Sequence, residues 1–164
     1  MTYEEELNAR AAELVERAQA HNLTVSCAES LTAGMTASAI AGIPGASLVL
    51  RGGAVTYCDE IKHRVLGVRE ETLAAYTAVS DQTAREMAAG ARKLFSSDVA
   101  VSLTGYAGPD GGAPGNPAGT VYIATCDKLG AEAVRFHFSG TRNEVRLQAA
   151  TKALEALIER TALL

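Results

Sequence analysis

Ser30, Tyr57, Lys62 and Arg142 are the residues of this chain whose types and settings suit chemistry on a polar ligand. Ser30 stands between a short β-forming run, Leu23 to Ala28, and a stretch of small residues from Leu31 to Ile40. A hydroxyl at a strand–helix junction has three roles open to it: capping the helix, binding a phosphate, or attacking a carbonyl. Capping is the commonest of these, and the following Leu31-Thr32-Ala33-Gly34 suits all three. Glu29 beside it either orients a ligand or is a solvated first-turn acid favoured by the helix dipole. Tyr57 and Lys62 follow Gly52-Gly53-Ala54-Val55-Thr56, and both can move protons if burial or nearby positive charge lowers their pKa. A serine with a lysine or tyrosine base is an alternative to Ser-His-Asp. Taken alone, a surface lysine on a short helix and a tyrosine at a strand end describe the pair better.

Thr104-Gly105-Tyr106-Ala107-Gly108-Pro109-Asp110-Gly111-Gly112 opens a long Gly/Pro-rich loop that runs to Gly119. Loops of this length in a compact domain are usually functional or mobile. Its glycines allow several backbone N–H groups to face an anion or a developing oxyanion. It is neither a Walker loop nor a GxGxxG fingerprint, and a plain wandering loop competes with a ligand-binding one. Arg142, in Ser139-Gly140-Thr141-Arg142, opens the last helix, where it either meets a phosphate or is simply solvated.

The elements that must position these residues follow from periodicity. Leu7, Ala11, Leu14, Val15 and Ala18 predict a helix over residues 3–20. A buried strand precedes Ser30 and a helix follows it. Residues 47–56 read as a strand, with Gly52-Gly53 marking a bulge or close backbone approach. Two short helices are expected over 59–66 and 70–75. Ser80 caps a helix carrying Ala84, Met87, Ala88, Ala91, Leu94 and Phe95 on one face. A strand over 98–103 enters the long loop. Residues 120–125 and 131–138 flank Asp127-Lys128-Leu129-Gly130 as a hairpin. Thr141 caps a final long helix. This order predicts an α/β fold: one three-layer α/β/α domain over residues 1–164, with a mixed sheet that includes a late antiparallel hairpin.

At 164 residues, with 48% hydrophobic and 21% charged residues, the chain suits one globular domain. Aromatics make up 5% and tryptophan is absent, so the core must rest on Val, Leu, Ile and Ala packed closely. A net charge of −4 and no basic block argue against direct nucleic-acid binding. The acidic, amphipathic N-terminus is unlike a signal peptide, and no run is long enough for a membrane span, so a cytoplasmic location and no membrane contact are expected. Cys27, Cys58 and Cys126, like His21, His63 and His137, show no disulfide or metal spacing, and buried or indifferent side chains are expected. Cys27, beside the serine motif, is the one candidate for reactivity, with a packed thiol favoured.

Five segments in this order resemble the C-terminal domain family of the competence/damage-inducible protein CinA, the nicotinamide-nucleotide amidohydrolases. They are AESLTAG (Ala28 to Gly34), GGAVTYCDEIKHRVLGV (Gly52 to Val68), TGYAGPDGG (Thr104 to Gly112), NPAGTVYIA (Asn116 to Ala124) and SGTRNEVRLQAATKALEAL (Ser139 to Leu157). The resemblance implies the same three-layer fold and deamidation of nicotinamide mononucleotide in pyridine-nucleotide salvage. It also implies no metal or organic cofactor, a small-molecule nucleotide substrate and self-association into a homo-oligomer. An N-terminal pyrophosphatase-type domain found in some relatives is not expected here. By match of motif, Ser30 is the nucleophile, Lys62 takes its proton directly or through Tyr57, and backbone N–H groups near Ser30 or Gly105 hold the oxyanion. Glu29, Thr32, Thr104, Gly105, Gly108 and Arg142 are the expected substrate-binding positions. Ala33, Tyr106, Asn116 and Thr141 stand where relatives commonly carry Gly, an aliphatic residue, Lys and Asp. The last two changes alter charge near the expected phosphate or ribose site. A nucleotide-binding domain without turnover, or a protein-interaction module, are the alternative readings.

Overall fold

A computed structural model describes residues 1–164. Its five-stranded sheet has the order β2-β1-β3-β4-β5. Strands β1 (Val25–Glu29), β2 (Leu50–Val55) and β3 (Val99–Gly105) are mutually parallel, and β4 (Thr120–Asp127) and β5 (Gly130–His137) complete it as an antiparallel hairpin. Helices α1 (Tyr3–Ala20), α2 (Met35–Ala41) and α6 (Arg142–Ala162) form one outer layer, and α3 (Asp59–Leu66), α4 (Glu70–Tyr76) and α5 (Asp81–Phe95) the other.

Side chains alternate across the sheet with the period of two that a pleated strand imposes. Val99, Val101 and Leu103 of β3 and Val121 and Ile123 of β4 join the main core with α1, α2 and α6. Ala100 and Ala124 face the other way, onto the alanine-rich face of α5. At Gly90 of α5, an added Cβ would lie 1.9 Å from the Leu66 carbonyl oxygen, so only glycine lets α3 and α5 approach this closely.

The expected elements are present, and the differences have local causes. The helix expected from Leu31 starts only at Met35, because Ala33 (φ 47°) and Gly34 (φ 98°) are left-handed and make residues 31–34 a turn. The strand expected from Ser47 starts at Leu50, after a single 3-10 turn at Ala46–Leu48. Of the two readings of Gly52-Gly53, close approach holds at Gly52, while the bulge falls one residue earlier, at Arg51. The β1–β2 register shifts between Val25 and Ser26, and a Cβ on Gly52 would strike the Phe95 ring at 2.6 Å. Ser80 and Thr141 cap α5 and α6 through their hydroxyls, Thr141 within a capping box with Glu144. No helix is long and apolar enough to cross a membrane.

Candidate active site

The chain leaves β1 and crosses to β2 on one side, while β3 lies on the other, so the strand order reverses at β1. Ligands of open α/β sheets bind outside the carboxyl ends of the strands at such a point. Three strand ends meet here. Ser30 follows β1, and its N–H continues the ladder to the Leu103 carbonyl of β3 at 3.0 Å. The Thr56 N–H donates to the Glu29 carbonyl at 2.8 Å, which fixes the end of β2 against the end of β1. A cleft of about 350 Å³ opens at this edge, lined by Ser30, Leu31, Tyr57, Lys62, Thr104 and Arg142 together with the loop from Gly105 to Asp110.

Lys62 lies one turn into α3 and points back under the strand ends. It is 1% exposed. Its amine lies 3.2 Å from the Ser30 hydroxyl and donates to the carbonyls of Thr56 at 2.8 Å and Tyr57 at 3.3 Å. Burial holds its pKa below the usual 10.5, against the opposing pull of Asp59 and Cys58. A neutral amine at this position has two N–H groups for the two carbonyls and a lone pair for the Ser30 proton.

Arg142 bridges the two sides of the cleft. Its guanidinium donates to the Gly108 carbonyl at 2.7 Å and to the Tyr57 hydroxyl at 2.9 Å. Thr104 donates its hydroxyl to the Ala78 carbonyl at 2.7 Å, so it fixes the wall of the cleft. Asp110 is the single acidic side chain of the lining and forms no ion pair.

A model of the CinA C-terminal domain matches residues 7–161. The chain belongs to the CinA C-terminal domain family. A CinA-like protein of Endomicrobium trichonymphae is 50% identical over 134 residues, 82% of this chain and 31% of that protein. One from Thermotoga neapolitana is 46% identical over the same share of this chain and 33% of its own length. The chain thus spans about a third of the curated relatives it matches. Among solved structures, a CinA superfamily protein of Klebsiella pneumoniae superposes with a TM-score of 0.93 at 36% identity, covering 96% of this chain and 99% of that one. The competence/damage-inducible protein CihA of Agrobacterium tumefaciens gives 0.88 at 38% identity, covering 94% of each chain.

Within this CinA domain the expected catalytic residues Ser30, Lys62 and Tyr57 share one cleft, and Thr104, Gly105, Gly108 and Arg142 line it with them. Three expectations are corrected. Tyr57 does not stand between Ser30 and Lys62: it offers Lys62 its carbonyl, while its hydroxyl is held by Arg142. Glu29 is neither solvated nor part of the cleft lining. It is 1% exposed and accepts from the Thr36 and Ala37 N–H groups at 2.9 and 3.1 Å, so Glu29, not Ser30, caps α2. The turn at 31–34 folds the start of α2 back over the end of β1, which brings those amides to the carboxylate. Thr32 is fully buried outside the lining, and its hydroxyl has no protein partner. Cys27 is buried in the core, where burial and then Glu29 push its thiol pKa up; the exposed thiol is Cys58, at the N-cap of α3.

Sequence reading missed Tyr106 and Asp110 as cleft residues, and missed Arg146. Arg146 donates to the carbonyls of Leu31 at 2.8 Å and Thr32 at 3.3 Å. One signal for it was available: Arg142 and Arg146 are four apart, on one face of a helix.

Proposed function

We propose that this domain is a nicotinamide-nucleotide amidase of pyridine-nucleotide salvage, converting nicotinamide mononucleotide and water to nicotinate mononucleotide and ammonia. The observation that carries this reading is the 3.2 Å approach of the buried Lys62 amine to the Ser30 hydroxyl. Ser30 Oγ forms a bond to the carboxamide carbon as its proton passes directly to the neutral Lys62 amine. Backbone N–H groups beside Ser30 or Gly105 hold the resulting oxyanion. The C–N bond then breaks, Lys62 returns the proton to the departing nitrogen, and ammonia leaves. Water, deprotonated by Lys62, attacks the acyl-serine; the ester C–O bond breaks as Lys62 returns that proton to Ser30 Oγ, and the acid leaves and ionises to the carboxylate.

The charges of the cleft support this substrate class. Arg142 keeps guanidinium N–H groups beyond those bound to Gly108 and Tyr57, and these suit a phosphate. Asp110 suits the cationic pyridinium ring. The family resemblance adds self-association, for which sedimentation is the check. Ammonia release from nicotinamide mononucleotide by wild type and Ser30→Ala tests the mechanism: wild type is active and the variant falls to background. Equal rates in the two exclude Ser30 as nucleophile. Saturable binding without release by wild type would make the domain a nucleotide binder.

A further inference from the structure

Tyr106 follows the last residue of β3, and the ladder to β4 does not stop there. Its N–H donates to the Thr120 carbonyl at 2.9 Å, and its carbonyl accepts from the Gly119 N–H at 2.7 Å. Two residues thus oppose one, and Gly119 is left-handed at φ 91°. This is a bulge with glycine in its first position, a device found next to active sites, where it ends strand pairing. It fixes the backbone of Tyr106 at the rim of the cleft. Side chains alternate along a strand, so Tyr106 leaves the chain on the same face as Thr104. That face carries Ala78, whose carbonyl Thr104 holds, and α3, the helix of Lys62, packs on it through Leu66.

The loop seats the ring as well. A Cβ added at Gly112 would overlap Cε2, Cζ and Oη of Tyr106, so the far edge of the ring rests directly on the Gly112 backbone. Gly112 is held in turn, its N–H donating to the Asn116 carbonyl at 2.8 Å, and Arg135 of β5 donates to the Gly115 carbonyl at 2.7 Å. A side chain fixed at both ends has little freedom left to lose when a ligand binds. Yet Tyr106 is only half-buried, and it lines the cleft with Ser30, Lys62 and Arg142. The other aromatic residue of the lining, Tyr57, has its hydroxyl held by the Arg142 guanidinium, a poor neighbour for a second cation. Tyr106 has no such partner.

Resting on the amidase reading, we propose that Tyr106 is a specificity-determining residue: its ring is the wall against which the pyridinium ring of the substrate stacks, and it favours that ring in the cationic, oxidised form. The attraction between a cation and an aromatic face is electrostatic and adds to contact area, so it separates a charged ring from an uncharged one of the same size. Hydrolysis of the carboxamide leaves the ring charge unchanged. The interaction therefore serves ground state and transition state alike, and it belongs to KM and not to kcat.

Calorimetric titration with nicotinamide mononucleotide and with its reduced form, whose ring carries no charge, tests this. The Ser30→Ala protein is used to prevent turnover, alone and combined with Tyr106→Leu, Tyr106→Phe or Gly112→Ala. Tyr106→Leu should weaken binding of the oxidised nucleotide by about three- to tenfold and of the reduced one by less than about twofold. Tyr106→Phe should keep the preference, because it keeps the ring. Gly112→Ala, which leaves the phenol intact but takes its seat, should lower the preference in the same direction as Tyr106→Leu. Equal losses for the two nucleotides would reduce Tyr106 to a structural residue and overturn the proposal. So would Tyr106→Leu without effect, a phenylalanine that does not rescue, or no binding of either nucleotide.

Kinetics with Ser30 in place supply the second check. Tyr106→Leu should raise KM by about three- to tenfold and leave kcat within about twofold; a fall in kcat at unchanged KM overturns the proposal. The two readings fail separately. Wild type that releases no ammonia, while the Tyr106-dependent preference persists, loses the reaction and keeps the stacking wall. Ammonia release without that preference keeps the reaction and loses the wall.

Discussion

A lysine enclosed as fully as Lys62 ties the pH dependence of the site to one group. Its ammonium form cannot accept the Ser30 proton, and burial lowers its pKa from 10.5. Activity should therefore rise with pH through the depressed Lys62 value and level off above it, a profile read from kcat/KM against pH. The same depression has a stability consequence. Between the folded and unfolded pKa values the unfolded chain binds more protons, so folding becomes more favourable as pH rises through that window. Relative to Lys62→Met, the wild-type urea midpoint should move upward as pH is raised toward 10.5. A second expectation concerns charge recognition. Asp110→Asn should narrow the affinity gap between nicotinamide mononucleotide and its reduced form, whose ring carries no charge, by about two- to fivefold, measured by calorimetry. At this scale the sequence was partly legible. Ser30, Lys62 and Arg142 sit in short motifs whose residue types announce chemistry. Glu29 did not announce its role, because whether a carboxylate at a strand end meets solvent or a helix start depends on the turn that follows. Arg146 did not, because its partners are carbonyls more than a hundred positions away, which carry no side-chain signature.

Among the elements, α2 and α3 matter most for the site, and each is held by an identifiable contact. Glu29→Ala removes both acceptors from the first turn of α2 and should cost about 1–2 kcal/mol in denaturant unfolding. For α3 the contact is with α5. Alanine is favoured over glycine inside a helix by about 1 kcal/mol, but at position 90 the new methyl would meet a backbone oxygen at 1.9 Å. Overpacking of that kind costs about 1–3 kcal/mol and is relieved by moving α3. Gly90→Ala should therefore lower Tm and also reduce turnover, because Lys62 moves with its helix away from Ser30. Helix and strand identities were legible from periodicity and caps, and α1, α3 and α5 match the expected spans closely. The start of α2 was not, because alanine at a left-handed φ has no local signal and only the neighbouring Gly34 hinted at a turn.

For the molecule as a whole, layer composition and element order were legible, whereas the strand order was not. Only the folded sheet places β3 against β1 and so gathers three distant segments at one edge. The far end of α6 is fastened separately. Arg160 donates to Asp127 at 2.6 Å and also bridges Glu132 and the Gly130 carbonyl, closing the β4–β5 hairpin onto the helix. The hydrogen bond from Arg160 holds the Asp127 carboxyl below its usual 3.8. A depressed carboxylate contributes stability above the unfolded pKa and loses it as pH falls through the folded value. Arg160→Ala should thus cost about 2–3 kcal/mol at neutral pH, with the difference from wild type shrinking below pH 3.8 in acid-unfolding curves. The opposite end of α6 has a different significance. Its first two turns hold Arg142 on the loop and Arg146 on the serine turn, secured by the Thr141–Glu144 box. Fraying of those turns would disarm both sides of the cleft while the rest of the sheet stayed intact. Heat should then silence a Thr141→Ala protein several degrees before it melts, an inactivation visible in assays but not in bulk circular dichroism.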